Sequence, residues 1–310
     1  MLQTVSKVFF QILAGSSHLK SLASRFGMRG RGFARRFIAG ATVEEAVDAA
    51  RQIQANGLHV TLDYLGESVA SIAAADAATR AYIAVLEKIA AAGVERNISL
   101  KLTQLGLTID RATCVDNLRR ILDAAAARDF FVRIDMEDST FTAVTLDVFE
   151  TMWQQGYRNA GVVLQSYLPR SEADAARMNA LGARVRLVKG AYNEPRDAAY
   201  QSKADVDAAF IRIMKLLLAE GVYPAIATHD PAMIEATRAF AKERGMDSTK
   251  YELQMLFGIR RDLQNSLKRE GLRVRVYVPF GREWFPYFMR RLGERPANIG
   301  FVIRGVLSER

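Results

Sequence analysis

Arg290 and Arg291 stand side by side in the run Tyr287-Phe-Met-Arg-Arg-Leu-Gly-Glu294. Positions three and four apart on an α-helix share a face, so Tyr287, Arg290, Arg291 and Glu294 form one polar patch on an otherwise apolar helix. A guanidinium presents paired donors in a plane and matches a carboxylate or phosphate as a lysine ammonium cannot. The doublet therefore fits a clamp for a small anionic substrate. A competing reading is that two cations near a helix C-terminus only complement its dipole. Pro286 is compatible with the helix if it begins near Glu283 or Trp284, which puts the proline in the first turn.

Other residues capable of chemistry fall at the ends of short apolar runs: Asp63, Lys101, Asp135, Gln165, Arg186, Lys189, Thr228, His229, Gln254 and Tyr277. Strand alternation would put Arg133 with Asp135, Arg184 with Arg186, and Glu252 with Gln254 on shared faces. If those faces point inward, the charges must pair with one another or with a ligand, since a buried unpaired charge costs several kcal/mol. Plainer roles stand beside these. Lys101 and Asp135 could be internal ion-pair partners, His229 a helix cap and Tyr277 a core aromatic. Lys189 is followed by Gly190-Ala191, a small-residue turn that lets a large group approach the backbone.

The elements that would carry these residues alternate. Strand-like runs cover Leu58–Tyr64, Asn97–Leu102, Phe131–Met136, Gly161–Ser166, Val185–Lys189, Pro224–Thr228, Glu252–Leu256 and Val274–Val278. Helical stretches lie between them at Val69–Ala92, Asp110–Arg128, Leu146–Gly156, Ser171–Leu181, Lys203–Glu220, Pro231–Lys242 and Arg260–Glu270. Thr42 with Glu45 and Ser171 with Asp174 have capping-box spacing. Strands alternating with helices imply a parallel sheet, and eight units imply a (β/α)8 TIM-type barrel of the α/β class. An open doubly wound sheet would carry a glycine-rich phosphate turn after its first strand. Leu65-Gly-Glu-Ser stands there instead, and no Walker-type loop occurs.

With 310 residues, half of them hydrophobic and a quarter charged, the chain is long enough for one such barrel. The expected division is 1–40 as basic N-terminal helices and 41–310 as the catalytic barrel, its last helix lying over the active site. Seven cations (Lys7, Lys20, Arg25, Arg29, Arg31, Arg35 and Arg36) precede the first acidic residue, Glu44, and supply most of the net charge of +9. Leu2, Val5, Phe9, Ile12 and Leu13 make the start amphipathic. Three readings of this leader compete: an organelle transit peptide, a segment resting on an anionic membrane surface, or helices packed on the body. The aromatic interleaving of a nucleic-acid patch is absent, so no nucleic-acid partner is expected. One cysteine, Cys114, excludes an intrachain disulfide and fits a reducing compartment. No metal site is expected.

The motifs resemble those of flavin-dependent proline dehydrogenase in its short monofunctional bacterial form. They are also similar to the corresponding domain of the bifunctional proline utilisation A protein. The resemblance rests on Leu65-Gly-Glu-Ser, Ser99-Leu-Lys-Leu-Thr, Val132-Arg-Ile-Asp-Met-Glu, Val163-Leu-Gln-Ser-Tyr-Leu, Val185-Arg-Leu-Val-Lys-Gly-Ala-Tyr192 and Ala227-Thr-His-Asp. Tyr251-Glu-Leu-Gln-Met-Leu-Phe-Gly258, Val276-Tyr-Val-Pro-Phe-Gly281 and the arginine helix complete it, in order, across the whole barrel. It implies FAD, oxidation of L-proline to Δ1-pyrroline-5-carboxylate, and electron transfer to a membrane quinone, ubiquinone or menaquinone. With the single cysteine and the basic amphipathic leader, the expected location is cytoplasmic, with peripheral contact at the inner face of the membrane.

By the same resemblance, Lys101, Arg290 and Arg291 hold the proline carboxylate, and Tyr192, Leu256, Tyr277 and Glu294 surround the ring. Asp135 is the active-site acidic residue, and Arg186 lies near the flavin N5 edge. Met136, Gln165, Val188, Lys189, Gly190, Ala191, Thr228 and His229 contact the cofactor. Glu67 matches the residue that pairs with the first arginine of the doublet and closes the site. Two other readings remain at this stage. One is a Schiff-base aldolase using Lys101 or Lys189. The other is a basic interaction module with the barrel as scaffold.

Overall fold

Alternation along each strand decides the architecture. The structure, a computed structural model, describes residues 33–294 and the side chains of residues 34–291. Its strands are β1 (His59–Tyr64), β2 (Asn97–Leu100), β3 (Phe131–Ile134), β4 (Ala160–Gln165), β5 (Arg184–Val188), β6 (Ala225–Ala227), β7 (Glu252–Leu256) and β8 (Val274–Phe280). They close in chain order into an all-parallel barrel, β8 pairing with β1 from His59 opposite Arg275 to Tyr64 opposite Phe280. Val60, Leu62, Val274, Val276 and Val278 join the apolar layer under the helices. Their alternates Thr61, Asp63, Arg275 and Tyr277 turn to the lumen.

Around the barrel lie α1 (Val43–Ala55), α2 (Ile72–Ala91), α3 (Arg111–Ala126), α4 (Ser139–Gln154), α5 (Ser171–Leu181), α6 (Lys203–Glu220), α7 (Pro231–Glu243), α8 (Arg261–Arg269) and α9 (Trp284–Glu294). Leu86, Ile89, Leu118, Ile121, Phe149 and Phe210 are fully buried against the strands. Each such side chain contributes about 1.5–3 kcal/mol by leaving water. Among the described residues, no helix is long and apolar enough to cross a membrane.

Several helix boundaries depart from the sequence reading. The Thr42/Glu45 capping box forms. Ser171 caps nothing: it is the first residue of α5, its hydroxyl donates to the Gln165 carbonyl at 2.7 Å, and Asp174 is bound by Arg170. Helix α4 begins at Ser139 rather than Leu146, because the Asp138 carboxylate accepts from the Thr140 N–H and extends the helix through a polar stretch. Helix α2 begins at Ile72 behind a Ser71 cap, which leaves residues 65–71 as a loop. Helix α9 does begin at Trp284, with Pro286 in its first turn.

A polar network fills the lower end of the barrel. Arg275 binds Glu252 at 2.8 Å, Glu95 at 2.8 Å and the Val60 carbonyl at 2.6 Å. Arg133 does not pair with Asp135. Its guanidinium donates to the carbonyls of Val162 and Arg184 and lies over the Phe131 ring. Arg184, expected to share an inward face with Arg186, is exposed at the rim over the Phe131 and Tyr223 rings.

Burial disfavours the charged form of Glu95, but His59, Arg275 and the Val60 N–H together bring its carboxyl down to about 2. The unfolded chain therefore takes up this proton first as pH falls. The stabilisation, at most about 3 kcal/mol, is fully present above pH ~4.5 and is lost on the way down to about 2. Acid unfolding of Glu95→Gln, followed by circular dichroism, is expected to show a shallower loss across that window. The same slope as the unaltered protein would contradict the assignment.

The N-terminal residues 1–32, including the amphipathic start and most of the segment expected to form basic helices, lie outside the described residues. The part that is described is a 3-10 turn at Phe33–Arg36 followed by a strap. Ala39 N–H donates to Pro279 O and Gly281 N–H to Gly40 O, both at 2.9 Å. Phe37 packs on Phe288 of α9 with ring centroids 6.0 Å apart. Gly258 lets the strap pass, since a Cβ there would lie 1.6 Å from the Arg36 carbonyl oxygen. The strap and the apolar face of α9 (Trp284, Phe285 and Phe288) form one buried cluster. That cluster seats the arginine doublet over the barrel mouth.

Candidate active site

The C-terminal ends of the strands converge on a cavity of about 600 Å³, within the range of small-molecule sites. Lys101, Asp135, Met136, Gln165 and Arg186 line it from β2 to β5, and Val188, Lys189, Gly190, Ala191 and Tyr192 from the end of β5. Thr228, His229, Leu256 and Tyr277 contribute from β6 to β8, and Tyr287, Arg290 and Arg291 from α9. Every sequence-predicted site residue except Glu67 and Glu294 is therefore brought to one place. Glu67 lies in a smaller adjoining cavity of about 150 Å³, which also touches Lys101 and Arg290. Glu294 closes α9, but its side chain lies outside the described residues.

The charges are organised in pairs. Lys101 Nζ lies 3.5 Å from Asp63 Oδ2 and 3.8 Å from Asp135 Oδ2, all three groups being almost fully buried. Burial opposes the ammonium charge, but the two carboxylates outweigh it and raise the lysine above its ordinary value. Burial pushes the Asp63 carboxyl up; Lys101 opposes this, and the Asp135 charge adds to it. Asp135 Oδ1 accepts from Arg186 at 2.7 Å, and its Oδ2 accepts from the Tyr277 hydroxyl at 2.7 Å. Arg186 also lies over the Tyr277 ring at 5.3 Å and donates to Ser99 Oγ at 3.2 Å. Burial, then the Asp135 charge, drives the Tyr277 hydroxyl well above its usual range, so it remains a donor.

At the roof, Arg290 Nη1 meets Glu67 Oε1 at 3.0 Å and its guanidinium lies 5.8 Å from the Tyr192 ring. Burial resists ionisation of Glu67, the Arg290 charge overcomes it, and the carboxyl sits below its ordinary value. Arg291 is buried with its guanidinium 5.1 Å from the Tyr287 ring. Burial pushes the Tyr192 hydroxyl up to about 12.

On the other flank, His229 Nε2 accepts from the Leu256 N–H at 2.9 Å, so the ring is neutral with its proton on Nδ1. Asp230, not His229, caps α7. Lys189 is held by Asp207 at 2.5 Å and Asp230 at 2.7 Å.

Sequence reasoning located Asp63 at a strand end without giving it a role, although it supplies the closest carboxylate to Lys101. It missed Tyr167, Glu194, Tyr200, Lys203 and Asp207, which line the cavity from the end of β4, the loop after β5 and the start of α6. The segment between β5 and α6 carries no periodicity, and no local pattern shows that Lys203 and Asp207, in the first turns of α6, reach the barrel mouth beside Lys189.

The family model described as proline dehydrogenase matches residues 46–304. Proline dehydrogenase 2 of Bacillus subtilis strain 168 is 40% identical over 98% of this chain and all of its own length. Proline dehydrogenase of Deinococcus radiodurans is 41% identical over 89% of this chain and 90% of its own. Among solved structures, proline utilization A from Bdellovibrio bacteriovorus inactivated by N-propargylglycine superposes with a TM-score of 0.78 at 26% identity. That match covers 84% of this chain and 32% of the larger protein. A full-length match at this identity, on a barrel whose mouth gathers the motif residues into one cavity, leaves one assignment: the chain belongs to the proline dehydrogenase family.

Proposed function

We propose that this protein oxidises L-proline to Δ1-pyrroline-5-carboxylate, with FAD as bound cofactor and a membrane ubiquinone or menaquinone as electron acceptor. This is the first step from proline toward glutamate. The observation that carries the reading is the convergence of Lys101, Arg290 and Arg291 with Arg186 on one cavity. Three cations around a partly apolar space suit a small carboxylate with a hydrocarbon ring.

One feature of the cavity fits a flavin. Gln165 Oε1 and Arg186 Nε are buried without a hydrogen-bond partner in the protein, which suits a heterocycle edged with donors and acceptors. Met136, Gln165, Val188, Lys189, Gly190, Ala191, Thr228 and His229 would hold the group together with Arg186. When bound, FAD supplies the acceptor for the hydride that leaves proline C5.

The chain's own residues do the rest. Lys101, Arg290 and Arg291 hold the carboxylate, while Tyr192, Leu256 and Tyr277 flank the ring. Glu294 belongs to the same set. The Glu67–Arg290 pair covers the site and excludes water, which strengthens the charge contacts beneath it. Asp135 holds Arg186 and Tyr277 through one bond to each oxygen and keeps a lone pair on each with which to take the amine proton. The amine must be neutral before oxidation, because an ammonium has no lone pair to form the imine.

Lys101, raised and clasped by two carboxylates, is the opposite of a Schiff-base nucleophile, which argues against the aldolase reading. Residues 41–310 act as the catalytic unit, the basic leader resting on the inner face of the membrane. The test is a visible spectrum of the purified protein before and after anaerobic addition of L-proline. Flavin bands that bleach on addition are expected; a colourless protein, or bands indifferent to proline, would overturn the reading.

A further inference from the structure

Glu67 sits on a loop that Arg290 holds at the carboxylate and that is fastened again, one residue further on, away from the cavity. Its neighbour Ser68 has φ +51°, a left-handed conformation that costs a non-glycine residue of order 1 kcal/mol and persists only where the surroundings impose it. The surroundings here converge on one residue. Ser68 N–H donates to Thr103 Oγ1 at 3.0 Å, and Val69 N–H donates to the Thr103 carbonyl at 3.3 Å.

Thr103 is fully buried in the turn Leu102–Leu105 that follows β2, directly after Lys101. It is held in turn by Glu137. The hydroxyl donates to Glu137 Oε2 at 2.6 Å and the Thr103 N–H donates to Oε1 at 3.1 Å. With its hydrogen committed to the carboxylate, Thr103 Oγ1 can offer Ser68 only a lone pair. Glu137 is 5% exposed; burial pushes its carboxyl up, and the two Thr103 bonds are the leading interactions that oppose this. Its own carbonyl accepts from Gln165 Nε2 at 3.2 Å, which links the same residue to the cavity floor.

We propose that Thr103, oriented by the buried carboxylate of Glu137, is the positioning residue for the Glu67 arm. The chain of bonds from Glu137 through Thr103 to Ser68 fixes where Glu67 meets Arg290, and so pre-orients that guanidinium for the substrate carboxylate. The inference rests on the reading of Arg290 as a carboxylate clamp. Neither Thr103 nor Glu137 touches the substrate; they act through the loop. Ordering Arg290 before the substrate arrives removes a cost from binding rather than from the chemical step.

Thr103→Val keeps the shape and the backbone bonds but removes Oγ1. It is expected to raise the KM for L-proline roughly five- to tenfold, with kcat changed less than about twofold. Thr103→Ser restores the unaltered KM. Glu137→Gln, which places a donor against Oγ1, raises KM in the same direction. In a Glu67→Ala background, Thr103→Val adds less than about a twofold further increase, because the arm it positions has lost its carboxylate. An unchanged KM in Thr103→Val, or the same proportional rise on top of Glu67→Ala, would overturn the proposal.

A second readout needs no turnover. Amide exchange at Ser68 is expected to accelerate by about tenfold in Thr103→Val and to stay slow in Thr103→Ser. Equal exchange in all three proteins would remove the anchor outright. Should the unaltered protein fail to respond to proline, the functional reading falls, while the exchange measurement still decides whether Thr103 holds the loop.

Discussion

Arg291→Ala is expected to raise the KM for L-proline by roughly a hundredfold while flavin retention changes far less, and Arg290→Ala to act in the same direction. The two differ in what they leave behind. Arg291 is buried over Tyr287, so its removal strips a desolvated cation from the cavity. Arg290 also balances Glu67, and its loss leaves that carboxylate without the charge that holds it ionised. Lysine at either position would not rescue the function, since an ammonium cannot present two donors in one plane to a carboxylate. Steady-state kinetics with cofactor content measured in parallel decide the point. Proline affinity unchanged in both variants would remove the clamp.

Lys101→Met is expected to be costly in a second way. The lysine is the counter-charge of Asp63, and deleting it leaves that carboxylate buried beside Asp135, which keeps its own bond to Arg186. Breaking a buried pair from one side costs about 3–5 kcal/mol, enough to lower the melting temperature by roughly 10 °C in a domain of this size. Proline oxidation should fall by roughly a hundredfold or more as well, because one of the three cations proposed to hold the substrate carboxylate is gone. Adding Asp63→Asn separates the effects. The double variant should regain much of the thermal stability, through removal of one stranded charge, and none of the activity. Thermal unfolding of Lys101→Met that matches the unaltered protein would show that Lys101 is not the counter-charge.

Much of this arrangement is legible in the chain because a barrel writes its geometry into local patterns. Val274, Val276 and Val278 alternating with Arg275 and Tyr277 announce a strand with one apolar and one polar face. The polar residues at the strand ends are those the barrel mouth collects. What escaped the sequence depends on closure. Arg275 reaches the Val60 carbonyl across 215 positions of chain and Glu252 across 23, a partnership no local pattern encodes. Arg184 shares a face with Arg186, yet it is exposed because it stands at the opposite rim of the barrel. Helix α4 began earlier than its apolar period because a cap, Asp138, set the start. Ser171 shows the reverse case: capping-box spacing was present, but its hydroxyl went to the Gln165 carbonyl instead.

The Glu67 loop lies between these extremes. Leu65-Gly-Glu-Ser was recognisable as a motif, and Gly66 is required where Gln104, fastened by Tyr82, lies so close that a Cβ would fall 2.2 Å from its Nε2. The residue that fixes the loop, Thr103, was recognisable only as the last residue of the motif Ser99-Leu-Lys-Leu-Thr, with no role attached. Its importance comes from Glu137, which approaches from β3.

The most direct measurement is a crystal structure of the FAD-loaded protein with a non-oxidisable cyclic carboxylate of proline's size. The carboxylate is expected between Arg290, Arg291 and Lys101, with the ring against Tyr192, Leu256 and Tyr277 and the flavin beside Arg186. A carboxylate held elsewhere, with the two guanidiniums making no contact to it, would contradict the account.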